Sequence, residues 1–72
     1  MYDNSIPKIS LEAARINAHM TQQEVAEALG INRDTVRRYE QGKSCPTFKT
    51  FIKLAELYNF PKDYIFLPDS PL

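Results

Sequence analysis

The feature that most restricts the fold of this chain is a three-residue join, "GIN" at residues 30–32, between two segments with helical patterns. The first segment covers residues 21–29 and the second covers residues 33–41. Gly30 and Gly42 follow the two segments, and glycine ends helices readily because it adopts the left-handed conformation at low cost. Two helices joined this briefly must cross at a steep angle and pack against each other.

The rest of the chain also favours helices over strands. Residues able to cap a helix N-terminus precede each helical pattern: Ser10, Thr21 (with Glu24 as a capping box), Asn32 and Thr47. We predict further helices over residues 11–20, 48–60 and 62–66. In the fourth helix, aromatic and apolar residues recur at helical spacing: Phe48, Phe51, Leu54, Ala55 and Tyr58. Five short helices and no convincing strand predict an all-α domain over residues 10–66, between an arm (1–9) and a tail (67–72).

Composition argues against several classes of protein. The chain has 72 residues with one cysteine and one histidine, Cys45 and His19, so we expect no metal site and no disulfide. We expect no enzyme, no cofactor and no small-molecule effector, because no catalytic or phosphate-binding motif occurs and a small chain has little room for an enclosed pocket. No apolar run could span a membrane and no signal peptide is evident, so we expect a cytoplasmic protein.

A formal net charge of zero conceals an uneven distribution of charge. Five basic side chains lie between residues 32 and 49: Arg33, Arg37, Arg38, Lys43 and Lys49. Only two acidic residues, Asp34 and Glu40, lie in the same stretch. Nucleic-acid-binding domains usually carry a basic excess, and here that excess is local.

The helix over residues 33–41 has two unlike faces. At about 100° per residue, Arg33, Arg37 and Arg38 share an arc of about 140°, while Val36 and Tyr39 lie on the opposite side. A charged helix face is often simply solvated, so the arginines alone leave both interpretations open. Three further features favour DNA binding over a merely solvated face: the tight join, the small Ala26 and the basic loop "QGKS" at 41–44.

The stretch "MTQQEVAEALGINRDTVRRYEQGKSCPTFKTFIKLAELYNF" resembles the running pattern "LTQ-E-A-LG-S--T-S-YE-G---P----L--LA" of the Cro and lambda-repressor type of helix-turn-helix, the Xre family. The resemblance covers residues 10–66. It implies a lambda-repressor-like DNA-binding domain and a transcriptional regulator, here a repressor of phage or mobile-element type. It also implies that residues 21–29 lie across the DNA backbone while residues 33–41 enter the major groove.

The resemblance assigns roles to individual residues. The base-reading positions are Arg33, Asp34, Arg37 and Arg38. The backbone-contacting positions are Thr21, Gln22, Gln41, Lys43 and Ser44. Arginine can pair with guanine O6 and N7, and aspartate can accept from cytosine N4. Arg15 and Glu40 match a buried ion pair between the first helix and the recognition helix.

Two residues depart from the family pattern. His19 replaces a common glycine, and Pro61 stands where relatives often place a capping serine, so the fifth helix should be short.

One recognition helix reads few base pairs, so we expect a weak homodimer through residues 60–67 on a palindromic operator. The alternative function is a helix-turn-helix used for protein contact, such as an antitoxin or a phage accessory protein.

Overall fold

The computed structural model describes residues 8–67, and four α-helices make up most of that part of the chain. The helices in chain order are α1 (Leu11–Asn17), α2 (Gln22–Leu29), α3 (Arg33–Gln41) and α4 (Phe48–Tyr58). Two short strands, β1 (Ile9–Ser10) and β2 (Ile65–Phe66), pair in parallel, and one 3₁₀ turn (Lys62–Tyr64) leads into β2. The two predicted helices on either side of the "GIN" join are α2 and α3.

Local capping explains where most of these helices begin. Ser10 Oγ accepts a hydrogen bond from the amide of Ala13 at 3.0 Å. Thr21 and Glu24 form the predicted capping box, with bonds of 3.1 and 2.8 Å between side chain and backbone. Thr47 caps α4 in the same way as Ser10 caps α1. Such a cap typically contributes about 1 kcal/mol.

Helix ends depend on residues that accept a positive φ. Gly30 has φ 69° and Gly42 has φ 77°, where a Cβ would be strained. Asn59 ends α4 at φ 53°. His19 stands at φ 59°, in the turn that ends α1 three residues earlier than we predicted. At the start of α3, Asn32 occupies the N-cap position without a side-chain cap bond.

The prediction of a fifth helix over residues 62–66 is wrong, because the described structure has a 3₁₀ turn followed by strand β2 there. Pro61, at the N-cap position of the turn, forms no side-chain cap. Ile65 is extended (φ −113°, ψ 124°) and pairs with Ile9, the last residue of the predicted arm. Its β-branched side chain favours that conformation and is only 4% exposed. The domain is therefore helical with one minimal sheet, and the prediction that no strand forms is also wrong.

All four helices and β2 contribute to one core. Its buried residues are Leu11, Ala14, Val25, Ala26, Val36, Leu54, Ala55, Tyr58 and Ile65. α3 contributes only Val36, since most of its other side chains are polar. Phe48 belongs to the predicted apolar pattern of α4 but is 69% exposed, because it is the first residue of that helix.

A largely buried ion pair joins α1 to α3. Arg15 Nε donates to Glu40 Oε2 at 2.7 Å and Arg15 Nη2 donates to Glu40 Oε1 at 3.3 Å. The two side chains are 11% and 5% exposed. Gln22 Nε2, from α2, donates to Glu40 Oε1 at 2.9 Å, and Arg15 Nη1 donates to the Met20 carbonyl. The hydrogen bond to Glu40 raises the pKa of Arg15 above its ordinary value.

Glu40→Ala should destabilise the domain strongly, because it leaves the Arg15 guanidinium without its carboxylate. Removing one partner of a buried pair costs about 3–5 kcal/mol. In a domain of this size, that loss should lower Tm by at least about 10 °C. Thermal unfolding followed by circular dichroism measures it.

Asp63→Ala is the matched control, because it breaks an ion pair with Lys62 in which the aspartate is 82% exposed. Exposed pairs contribute about 0–1 kcal/mol. An equal Tm for wild type and Glu40→Ala would show that the Arg15–Glu40 pair adds nothing to stability.

Candidate nucleic-acid interface

The α2–α3 pair is the framework of the candidate interface. α2 and α3 make the most extensive contact between any two elements of the described chain. Ala26 of α2 and Val36 of α3 are each 1% exposed and both belong to the core. The Ile31 amide donates to the Ala26 carbonyl at 3.0 Å, and the Ile31 side chain packs against the core. This framework fixes the direction in which α3 presents its polar face.

The structure brings the four predicted base-reading residues together on the exposed surface of α3. Arg33, Asp34, Arg37 and Arg38 are all exposed, while Val36 is buried and Tyr39 is half-buried against the core. The two-faced helix expected from the sequence is therefore present in the folded chain. The side chains on the exposed face nevertheless differ in how they are held.

Arg37 is bonded along α3 to the residues one turn before it and one turn after it. Its Nε donates to Asp34 Oδ1 at 3.0 Å, and its Nη2 also donates to Asp34 Oδ1. Its Nη1 lies 3.5 Å from Gln41 Oε1. The Arg37 hydrogen bond lowers the pKa of Asp34 below its ordinary value. Asp34 is thus an ionised carboxylate with a cationic partner within hydrogen-bond distance.

Arg38 is bonded to the loop that follows α3. Its Nε donates to Ser44 Oγ at 3.1 Å, and its Nη2 lies 3.5 Å from the Lys43 carbonyl. In return, the amides of Lys43 and Ser44 donate to the Arg38 carbonyl at 2.9 and 3.3 Å. Arg38 and Ser44 therefore hold the loop against the end of α3, and the Lys43 side chain is exposed.

An open groove of about 380 Å³ lies between the start of α2 and the start of α3. Thr21, Gln22, Gln23 and Arg33 line it, with Arg15 and Met20 behind. One of the two N–H groups on the Gln22 amide is bonded to Glu40, so at most one remains for an external acceptor. The groove therefore combines an arginine, an amide and the N-terminal backbone amides of α2, groups that attract an anion.

Two features of this surface were missed in the sequence. The Gln22–Glu40 bond joins residues 18 positions apart, and no local pattern indicates it. The Asp34–Arg37 pair could have been found, since oppositely charged residues three apart on a helix are neighbours.

Residues 8–67 hold no cluster of three histidine, cysteine, aspartate or glutamate residues able to bind a metal. Over the same residues, every helix is too short or too polar to cross a membrane.

Comparisons with known proteins agree with this geometry. A helix-turn-helix family model matches residues 11–65. The HTH-type transcriptional regulator ImmR of Bacillus subtilis is 39% identical over 60 residues, which are 83% of this chain and 47% of ImmR. An uncharacterized HTH-type transcriptional regulator of Archaeoglobus fulgidus is 36% identical over 56 residues, 78% of this chain and 79% of the relative.

A third relative is the cryptic phage CTXphi transcriptional repressor RstR of Vibrio cholerae. It is 36% identical over 47 residues, which are 65% of this chain and 42% of RstR. The match therefore spans about half the length of ImmR and RstR, and most of the archaeal relative. The family-model match over residues 11–65 contains both α2 and α3.

Proposed function

This chain belongs to the Cro and lambda-repressor type of helix-turn-helix proteins, and from that premise we propose that it regulates transcription by binding a specific site on double-stranded DNA. The observation that carries this proposal is the surface formed by the polar face of α3, the groove at the start of α2 and the Lys43 loop. It presents exposed cations in a chain whose formal net charge is zero.

In the proposed complex, α3 enters the major groove and α2 crosses the DNA backbone. We assign base reading to Arg33, Asp34, Arg37 and Arg38. We assign backbone contacts to Thr21, Gln22, Gln41, Lys43 and Ser44. Of the three arginines, only Arg33 has no side-chain bond to another residue of the described chain, and it borders the groove at the start of α2.

We further propose that the protein is a repressor of phage or mobile-element type. The relative named as a phage transcriptional repressor supports this assignment. A domain over residues 10–66 that occupies an operator can block transcription without a catalytic site or a bound effector. The competing function, a protein-contact module, draws support from an apolar groove lined by Ile52, Ala55 and Phe60.

Salt dependence and single substitutions should test DNA binding together. Binding to duplex DNA should weaken between about 50 and 200 mM salt, with a log–log slope on the order of −3 to −5 for two subunits, because cationic contacts release counterions. Arg33→Ala should cost about 1–3 kcal/mol on the preferred site and relax the preference at one base pair. Fluorescence anisotropy on selected and random duplexes measures both effects.

Lys43→Ala serves as the comparison for Arg33→Ala, since each change removes one cation. If Lys43 holds a phosphate, its loss weakens binding to every sequence alike and makes the salt slope shallower by about one. Retention of full sequence preference by Arg33→Ala would remove that residue from the base readers. Duplex binding that ignores salt would refute the proposal in favour of the protein-contact function.

We also propose that two copies of the chain bind a palindromic operator as a weak homodimer through residues 60–67. Ile65 is 4% exposed and packs inward, whereas Phe66 is 45% exposed. Tyr64 and Leu67 are half-buried. One strand cannot bury both Ile65 and Phe66 against the same core, because successive side chains point to opposite faces. An exposed Phe66 therefore supports a contact beyond the domain.

Sedimentation should detect a dimer with a Kd of about micromolar order without DNA, and Phe66→Glu should abolish it by placing a charge in an apolar contact. Phe48→Glu is the matched control, because Phe48 is 69% exposed but lies outside residues 60–67. A wild type that stays monomeric at high concentration, and that binds one half-site as well as the palindrome, would contradict the dimer.

A further inference from the structure

Asp34 is the acidic residue of the exposed α3 face, and it sits among cations. Arg37 and Arg38 follow it on α3, and Lys43 lies in the next loop. These three cations all contribute to the lowered pKa of Asp34, with the Arg37 hydrogen bond contributing most. A carboxylate on a surface that must approach phosphates opposes binding to DNA of any sequence. To favour one sequence, Asp34 must either accept from a cytosine N4 amine or act on its cationic neighbours.

The contacts of Arg37 leave a particular part of its guanidinium free. Asp34 accepts from Nε and Nη2, the edge of the guanidinium nearest the helix. Nη1 carries two N–H groups, and the contact with Gln41 uses at most one. One N–H on Nη2 and one on Nη1 therefore remain for an external acceptor. Two parallel N–H groups are what arginine offers to O6 and N7 of guanine.

Holding a long side chain before it binds reduces the entropy that binding must remove. An exposed arginine otherwise samples many rotamers, whereas Asp34 and Gln41 restrain Arg37 from opposite ends of its guanidinium. The same carboxylate repels the phosphates of any DNA, and only a site with a guanine for Arg37 offsets that cost. One residue can thus favour the correct site and disfavour all others, and both effects raise specificity.

We propose that Asp34 is a positioning residue, which holds the Arg37 guanidinium ready for one guanine and weakens binding to DNA of any other sequence. This inference rests on the proposed DNA-binding function and changes one assignment within it. Asp34 acts through Arg37 instead of reading a base by itself. Arg37 supplies the direct contact.

Asp34→Asn tests the inference, because the side chain keeps its shape and loses its charge. A duplex recovered by selection from a random pool with the wild type serves as the preferred site. A random duplex serves as the reference, and both are measured at one salt concentration. Asp34→Asn should bind the random duplex more tightly and lower the selected-to-random affinity ratio by about 3- to 10-fold, the effect of freeing one ordered side chain. A role confined to folding would move neither quantity.

Glu12→Gln is the matched control. It makes the same change in net charge at an exposed carboxylate of α1 that, like Asp34, has an arginine partner three residues later, and Glu12 is in neither the proposed DNA-binding surface nor residues 60–67. It should leave the selected-to-random ratio unchanged. Both substitutions are at exposed positions, so an unchanged Tm confirms that any change in the ratio is not a change in folding.

A double-mutant cycle separates positioning from direct reading. In an Arg37→Ala background, Asp34→Asn should no longer change the selected-to-random ratio. A fall in the ratio that persists without Arg37 would show that Asp34 reads a base itself and would overturn the inference. An unchanged ratio in the single variant would overturn it as well. Absence of salt-dependent binding by the wild type would instead refute the proposed function.

Discussion

The Glu40 carboxylate is the point at which three helices of this domain are joined. It accepts hydrogen bonds from Arg15 of α1 and Gln22 of α2, and it belongs to α3. α3 needs this connection because Val36 is the one residue that it contributes to the buried apolar core. Apolar burial therefore anchors the middle of α3, Ile31 anchors the turn before it, and Glu40 anchors its C-terminal half. Burying two charges is costly, and the several hydrogen bonds at this site offset that cost.

The second constraint is electrostatic, and it follows from the first. In the proposed complex, the polar face of α3 attracts DNA although the chain as a whole has no excess of positive charge. The structure partly neutralises that face internally, through Asp34 with Arg37. Arg33 at the start of α3 and Lys43 in the loop after it are exposed cations on either side of that pair. Recognition in such a domain depends on where each cation is held more than on how many there are.

Local chemistry made much of the fold predictable from the sequence. The helix caps at Ser10, Thr21 and Thr47 each join residues only three positions apart. Gly30 and Gly42 end helices because glycine itself accepts a positive φ. Both kinds of signal are local, although Asn32 takes the predicted cap position without forming the side-chain bond. The apolar face of α4 was likewise predicted from helical spacing for the residues from Phe51 onward. Phe48 is exposed instead of packed because it is the first residue of the helix.

What the sequence could not show depends on partners far along the chain. Ile65 is extended because it pairs with Ile9, 56 residues earlier, and no pattern within residues 62–66 indicates that pairing. The Gln22 amide and the Arg38 guanidinium were both assigned to DNA, and the fold gives each a protein partner as well. Such contacts depend on side-chain directions that only the packed helices determine. The resemblance to relatives supplied the Arg15–Glu40 pairing in advance, although the two residues are 25 positions apart.

The central claim is that the start of α2, the outer face of α3 and the loop after it form one DNA-binding surface. An NMR titration of the ¹⁵N-labelled protein with its selected duplex tests this claim most directly. We expect the largest amide shifts at residues 21–24 and 33–44, while the buried amides of Leu54 and Ala55 change little. Shifts concentrated at residues 48–67, with residues 33–44 unaffected, would contradict it.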